Sequence, residues 1–226
     1  MTRNYLLGVD LGTSRIKAVL FDIQGQSVFS SWRDVRLYGD ESRSEIDMDE
    51  LWDDVAQTIK DVVVKMEPGS VIASAAVSGQ GEGLWLIDDN NQPIGPAILW
   101  NDSRAEQLVE ELVKEPAMNE TVRKITGSSL FPGATSVLIR WLEDNNPKQL
   151  DRAHKILFCK DWIRFKLTDV VGTDITDMST SLLDIKKRAP TTELFDLLGI
   201  GKRISLVSQS FKPAELAGII TKKASD

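Results

Sequence analysis

Two apolar runs open the chain, Tyr5 to Val9 and Ile16 to Phe21, separated by Asp10-Leu-Gly-Thr13 and a short polar stretch. Runs of this length bounded by turn residues predict two strands in tight succession. Asp22-Ile-Gln-Gly25 supplies the next turn, and Ser27 to Trp32 is predicted to pair as the third strand of an antiparallel meander. From Asp47 the period becomes helical: Leu51, Val55, Ile59, Val62 and Val63 share one face, with Asp47 and Glu50 spaced as a capping box. Pro68-Gly69 ends that helix, and Val71 to Val77 reads as a buried strand reached by a crossover onto the first sheet.

Beyond Ser78 the pattern breaks into shorter pieces. Leu84 to Ile87 and Ile94 to Trp100 read as strands around the turn Asp88-Asp89-Asn90-Asn91. A helix is predicted from Asn101-Asp102-Ser103-Arg104 onward, with Ser103 and Glu106 spaced as a capping box and Asp102 a second cap candidate. Residues 119 to 170 read as mainly helical, broken at Leu130-Phe-Pro-Gly133 and by a short strand at Ile156 to Cys159. Thr168 to Ser181 is a polar loop, and a short helix follows near Glu193 to Leu198.

Composition narrows the function classes. With 226 residues, 42% of them hydrophobic, the chain is expected to form one large globular domain with insertions. A net charge of -7, with Lys and Arg scattered, gives no footprint for nucleic acid. No run approaches the roughly 20 apolar residues of a membrane helix, and the N-terminus lacks an apolar signal core, so a cytoplasmic location without a membrane partner is expected. Cys159 and His154 are each the only residue of their type, which rules out an internal disulfide and a zinc site built from His and Cys. Cys159 is expected to be a small buried hydrophobe.

Four segments carry candidate chemistry. Asp10, at a strand end and followed by Gly12, Thr13 and Ser14, suits metal and phosphate together: the carboxylate for Mg²⁺, the turn N–H groups and Thr13 hydroxyl for phosphate oxygens, and Lys17 or Arg15 for charge. An ordinary hairpin turn explains that segment equally well. Gln80-Gly81-Glu82-Gly83 opens backbone beside polar groups that can bind vicinal hydroxyls, or is a bulge with solvated side chains. Trp100-Asn101-Asp102-Ser103-Arg104 offers an indole face for the C–H face of a polyol and a carboxylate for its hydroxyls, although its polar residues also suit a helix start. Thr173-Asp174-Ile-Thr-Asp177 holds two carboxylates, one of which can be a general base; judged alone, an Asx-turn with a helix cap is the stronger reading.

In order and spacing, Asp10-Leu-Gly-Thr13, the Gln80 loop, Pro96-Ala-Ile-Leu-Trp-Asn-Asp-Ser-Arg104, Thr126-Gly127 and Thr173-Asp174-Ile-Thr-Asp177 resemble the FGGY family of carbohydrate kinases, xylulokinases in particular. The resemblance implies an α/β fold of the ribonuclease H-like class shared with actin and hexokinase: a mixed five-stranded sheet with flanking helices and helical insertions. Residues 1–226 would be the N-terminal, sugar-binding domain of a chain about twice as long, whose C-terminal nucleotide-binding domain lies outside this sequence, and the isolated piece is expected to have little activity. The resemblance further implies ATP-dependent phosphorylation of a ketose, foremost a pentulose such as xylulose, or of another polyol or ketose such as glycerol, ribulose or erythritol. A non-catalytic sugar-binding module of the same fold is the alternative, and an acyl-phosphate kinase or chaperone-type ATPase a third. Carried over residue by residue, Asp10 attends Mg²⁺ and the phosphates; Gly12, Thr13, Ser14 and Lys17 hold ATP; Gln80, Glu82, Trp100, Asp102 and Asp174 surround the sugar; and Asp174 is the catalytic base. The partners implied are the sugar, ATP and a second copy in a homodimer. Gly81-Glu82 departs from the Met-His of D-xylulokinases and the Arg-Glu of glycerol kinases, and Gln-Gly-x-Gly looks closer to kinases of L-xylulose or related ketoses.

Overall fold

The computed structural model describes residues 3–225. They fall into two compact units, one formed by the chain up to Arg36 with Met48–Gln80, the other by Leu37–Asp47 and the chain from Gly81 onward.

In the first unit β1 (Asn4–Leu11), β2 (Arg15–Asp22) and β3 (Ser27–Asp34) form the expected meander. Two short strands of the second unit, β4 (Tyr38–Gly39) and β5 (Ser44–Ile46), intervene before α1 (Met48–Val63) and β6 (Val71–Gly79). The period-2 pattern turns Leu7, Val9 and Leu11 of β1 and Ile16, Ala18 and Leu20 of β2 inward. The inward face of α1 is Leu51, Val55, Thr58 and Val62, spaced to fall on one stripe, and the helix packs on β2 and β3. β6 then runs parallel to β1, giving a mixed sheet in the order β3-β2-β1-β6. This sheet has four strands where five were expected, because the next apolar run pairs elsewhere. β6 is its edge strand, bonded on one side only, so its Ala- and Ser-rich segment stays exposed or half-buried rather than buried.

The second unit is built round α4 (Thr135–Asn145), whose Val137, Leu138 and Ile139 are fully buried in a cluster with Leu84, Phe158 and Phe195. In chain order it contains β7 (Trp85–Ile87), β8 (Ala97–Ile98), α2 (Glu106–Val113), α3 (Pro116–Thr126), α4, α5 (Pro147–Arg152), β9 (Lys155–Leu157), α6 (Cys159–Thr168), β10 (Thr173–Asp174) and α7 (Ile175–Ser181), followed by shorter elements. β7 pairs antiparallel with β9, and β4-β5-β8 form a small sheet of their own.

Local expectations shift here for identifiable reasons. α2 starts at Glu106 behind Ala105 with no side-chain cap, because Ser103 is used otherwise: its hydroxyl donates to Ser42 O at 3.2 Å. The Ile156–Cys159 strand stops at Leu157, and α6 takes over once the Phe158 N–H finds the Asp161 carboxylate at 3.2 Å. Cys159 is buried, as expected. The polar stretch 168–181 contains β10 and α7 instead of an open loop, since Asp174 caps α7 by accepting from the N–H groups of Thr176 and Asp177. Among the described residues no helix is long and apolar enough to cross a membrane.

Candidate functional site

In the first unit the polar residues gather at one end of the sheet. Asp10 lies across from Lys17 on β2 and beside Ser78 on β6. Side chains opposed in register share a face, so these three stand together on the face opposite the buried row Val9 and Leu11. The Ser78 hydroxyl donates to Asp10 Oδ1 at 2.7 Å. The Gly12 N–H donates to Arg15 O at 2.9 Å and so closes the hairpin. The Thr13 hydroxyl donates to Gln80 Oε1 at 3.4 Å, and the Gln80 N–H donates to Leu11 O at 2.8 Å, which joins two of the sequence-predicted segments. Ser14 is exposed, its carbonyl accepting from the Val35 N–H. Arg15 turns aside, paired with Asp34 at 3.3 Å and stacked 4.4 Å from the Trp32 ring centre, and Lys17 is the cation opposite Asp10.

In the second unit the structure converges on Glu82. This residue has φ 57, a conformation that costs a non-glycine residue about 1–3 kcal/mol unless its surroundings hold it. They do. Glu82 Oε2 accepts from the Thr135 N–H at 2.8 Å, from the Thr135 hydroxyl at 2.8 Å, and from the Ser181 hydroxyl at 2.9 Å. Oε1, also buried, has no hydrogen-bond partner. Gly83 donates its N–H to Gly133 O at 3.1 Å. Gly133 in turn presses so closely on the Trp100 carbonyl that any side chain there would collide with backbone. The loops at 82–83, 98–100 and 133–135 therefore meet backbone to backbone, and two of these contacts exist only because glycine stands at 83 and 133. Gly133→Ala is expected to lower stability by about 1–3 kcal/mol or more, the usual cost of forcing atoms into a filled space, read as an earlier midpoint in urea unfolding.

Trp100 follows β8 and is 45% exposed, open enough to offer a ring face. Asp102 has a different role. Its side chain is fully buried; Oδ1 accepts from Arg104 N and Nε at 3.0 and 2.8 Å, and Oδ2 from Ser44 N and Arg104 Nη2, both at 2.8 Å. Arg104 also reaches Glu45 Oε1 at 2.5 Å. Both Asp102 oxygens are thus engaged in tying the Trp100 loop to residues 44–45, which strips the segment of its capping role and leaves the carboxylate little to offer a ligand.

Asp174 is similarly committed. Oδ1 accepts the Thr176 and Asp177 N–H groups at 2.7 and 3.2 Å together with the Thr176 hydroxyl, and Oδ2 faces Lys160 Nζ at 2.6 Å. Burial alone would raise its pKa, but hydrogen bonds from Lys160 and Thr176 hold it below the usual carboxylate range. Asp177 contrasts with it: burial pushes it up to about 6 against the pull of Lys160 at 3.0 Å, with the charges of Asp174 and Glu82 adding to the rise. Asp161, deeper still, is pushed up to about 7 by burial despite a hydrogen bond to Thr173 and the charge of Arg164. Lys160, Thr135 and Ser181 carry no motif and went unnoticed in the sequence. Thr135 and Ser181 lie 53 and 99 positions from the carboxylate they hold, and only packing brings them there.

A sequence model described as the N-terminal domain of the FGGY family of carbohydrate kinases matches residues 5–226. The chain belongs to the FGGY family. The erythritol kinase of Brucella abortus is 33% identical to this FGGY chain over 207 residues, 90% of this chain and 39% of that protein. The probable L-xylulose kinase of Pasteurella multocida is 32% identical over 226 residues, covering 99% and 47%. Among crystal structures, gluconate kinase from Lactobacillus acidophilus superposes with a TM-score of 0.90 at 26% identity, covering 99% of this chain and 45% of that one. The FGGY chain has the ribonuclease H-like fold of the sugar-kinase superfamily, with a mixed sheet and flanking helices, as expected. It spans less than half the length of these three relatives.

Proposed function

We propose that this FGGY chain supplies the sugar-binding part of an ATP-dependent kinase acting on a hydroxyl of a small neutral ketose or polyol, a pentulose foremost. The supporting observation is Glu82: a buried carboxylate with one oxygen saturated by Thr135 and Ser181 and the other without a partner, held in a strained conformation by three converging loops. An orphaned buried acceptor is costly, and a hydroxyl donor from a ligand removes that cost. Trp100, exposed on one of the three loops, offers an apolar ring to a sugar C–H face. In this reading Glu82 and Trp100 address the sugar. Asp102 acts through Arg104 and the loop that carries Trp100, and Asp174 serves as helix cap and Lys160 partner rather than as proton acceptor, because both its oxygens are occupied and its basicity is lowered.

The phosphate end falls to the hairpin in the first unit. Thr13, Ser14 and Lys17 would address phosphate oxygens, with Gly12 contributing its close turn more than its N–H, which the hairpin already uses. Asp10 fits Mg²⁺ as a single carboxylate, exposed and steadied by Ser78, the mode in which that ion keeps water and phosphate as its other ligands. When bound, the ion would neutralise charge on the ATP phosphates. A cytoplasmic, reducing setting is part of the proposal, consistent with a lone buried cysteine. The test is a phosphorylation screen of the full gene product with Mg-ATP against pentuloses, hexuloses, tetritols and aldonates. Turnover of a neutral ketose or polyol supports the reading, and ATP hydrolysis indifferent to every sugar contradicts it.

A further inference from the structure

Gly81 leaves open the space in front of the Asp177 carboxylate, beside Glu82, and the sugar-kinase reading leaves that carboxylate unused. Asp177 sits in the first turn of α7 and is only 7% exposed. Its Oδ2 is buried against the Lys160 ammonium at 3.0 Å. Its Oδ1 lies 3.1 Å from where a Cβ on Gly81 would stand. A Cβ contact that short is tighter than nearly all real ones, so any side chain at 81 would crowd this oxygen. Glu82 follows directly, with Oε1 buried and without a partner. Two nearly buried carboxylates thus lie beside a residue that has no side chain: Glu82 with Oε1 buried and without a partner, and Asp177 with Oδ2 paired to Lys160 and Oδ1 facing Gly81, its pKa raised first by burial and further by the charges of Asp174 and Glu82.

We propose that Asp177, laid open by the absent side chain at Gly81, is a sugar-contacting residue that selects uncharged polyols and ketoses over aldonates. The inference rests on the functional reading above and assigns its selectivity. Ionised carboxylates are acceptors only, so the matching ligand group is a donor, and a hydroxyl is the donor a sugar carries. An aldonate would bring its own carboxylate toward Glu82 and Asp177, where the one ammonium, Lys160, already serves Asp174 and Asp177. Juxtaposing like charges in a site shielded from water costs affinity. Position 81 then acts as a gate on that contact: glycine admits the ligand hydroxyl, and a larger residue fills its place.

Calorimetric titration of the chain with erythritol, a pentulose and gluconate tests this, with Asp177→Asn and Gly81→Ala beside the unaltered chain. The unaltered chain is expected to bind the neutral sugars and discriminate against gluconate. Asp177→Asn should weaken neutral-sugar binding by about tenfold, as for loss of one charge-assisted hydrogen bond, and narrow the discrimination. Gly81→Ala should weaken it as well, and carries the test by itself if Asp177→Asn fails to fold. A structural role alone would not move the ratio between neutral sugar and aldonate, and it would leave the side-chain carboxyl resonance of Asp177 unshifted when polyol is added. Folded variants that bind as the unaltered chain does, or an unaltered chain that takes gluconate as tightly as the neutral sugars, overturn the assignment of Asp177 while leaving the sugar site standing. An unaltered chain that binds no sugar overturns the functional reading and this inference with it.

Discussion

An Arg104→Ala variant is expected to lose about 3–5 kcal/mol of stability. The reason is what remains behind. Asp102 is fully buried and takes two of its four hydrogen bonds from the Arg104 guanidinium, so alanine leaves a charged carboxylate away from water with only the main-chain N–H groups of Ser44 and residue 104. The Arg104 main-chain N–H survives the substitution, but the guanidinium fork and its link to Glu45 do not. Lysine cannot substitute, because a single ammonium does not reproduce a fork that contacts both Asp102 oxygens and Glu45 together. For a chain of this size the loss corresponds to a fall in melting temperature of roughly 10 °C or more. Adding Asp102→Asn to Arg104→Ala should recover part of it, since the stranded charge is then gone; a double variant no more stable than the single one would show that packing around Trp141, 5.4 Å from the guanidinium, dominates instead.

Asp161→Asn is expected to stabilise the protein at pH 8 and to do little at pH 5. Burial holds the Asp161 carboxyl near 7 in the folded chain, well above its unfolded value, so folding favours the protonated form. A raised carboxyl pKa contributes its stability fully below the unfolded pKa and loses it as pH rises through the folded one. The window therefore runs from about pH 4 to about pH 7, and above it the ionised group costs on the order of 2–4 kcal/mol. Asp177, pushed up to about 6, adds to the same trend, while Asp174, held low, works the other way at acid pH. Asparagine removes the ionisation yet can still accept the Phe158 N–H that starts α6. Urea unfolding at pH 5, 6, 7 and 8 reads this directly, and parallel stability profiles for the two proteins across that range would refute it.

How far the sequence was legible follows from the reach of each signal. The meander, α1 and the parallel return of β6 rest on periodicity within single segments, and all formed with ends moved by a few residues. The count of sheet strands failed because an apolar run shows that a strand exists but not its neighbour: Trp85–Ile87 found β9, seventy residues on, instead of the main sheet. The polar motifs were found as residues, but their division of labour was not. Asp102 and Glu82 look alike in sequence, each a carboxylate in a glycine- or tryptophan-flanked loop, and differ because Arg104 lies within reach of one while the other keeps an oxygen unsatisfied. Asp174 carried both a cap reading and a base reading, and its hydrogen bonds realise the cap. Lys160, which sets the electrostatics of Asp174 and Asp177, lies in a helix whose only sequence signal is apolar spacing, so nothing local pointed to it.

Titrating a pentulose and erythritol into the chain and into Glu82→Gln is the sharpest measurement, because glutamine keeps the shape of the side chain and the loop around it while removing the charge on the orphaned oxygen. The unaltered chain should bind at least one of these sugars, and the variant should bind it about ten- to a hundredfold more weakly, the loss of one or two charge-assisted hydrogen bonds. A folded Glu82→Gln chain that binds the sugar as tightly as before would mean that the buried carboxylate serves the fold and not the ligand.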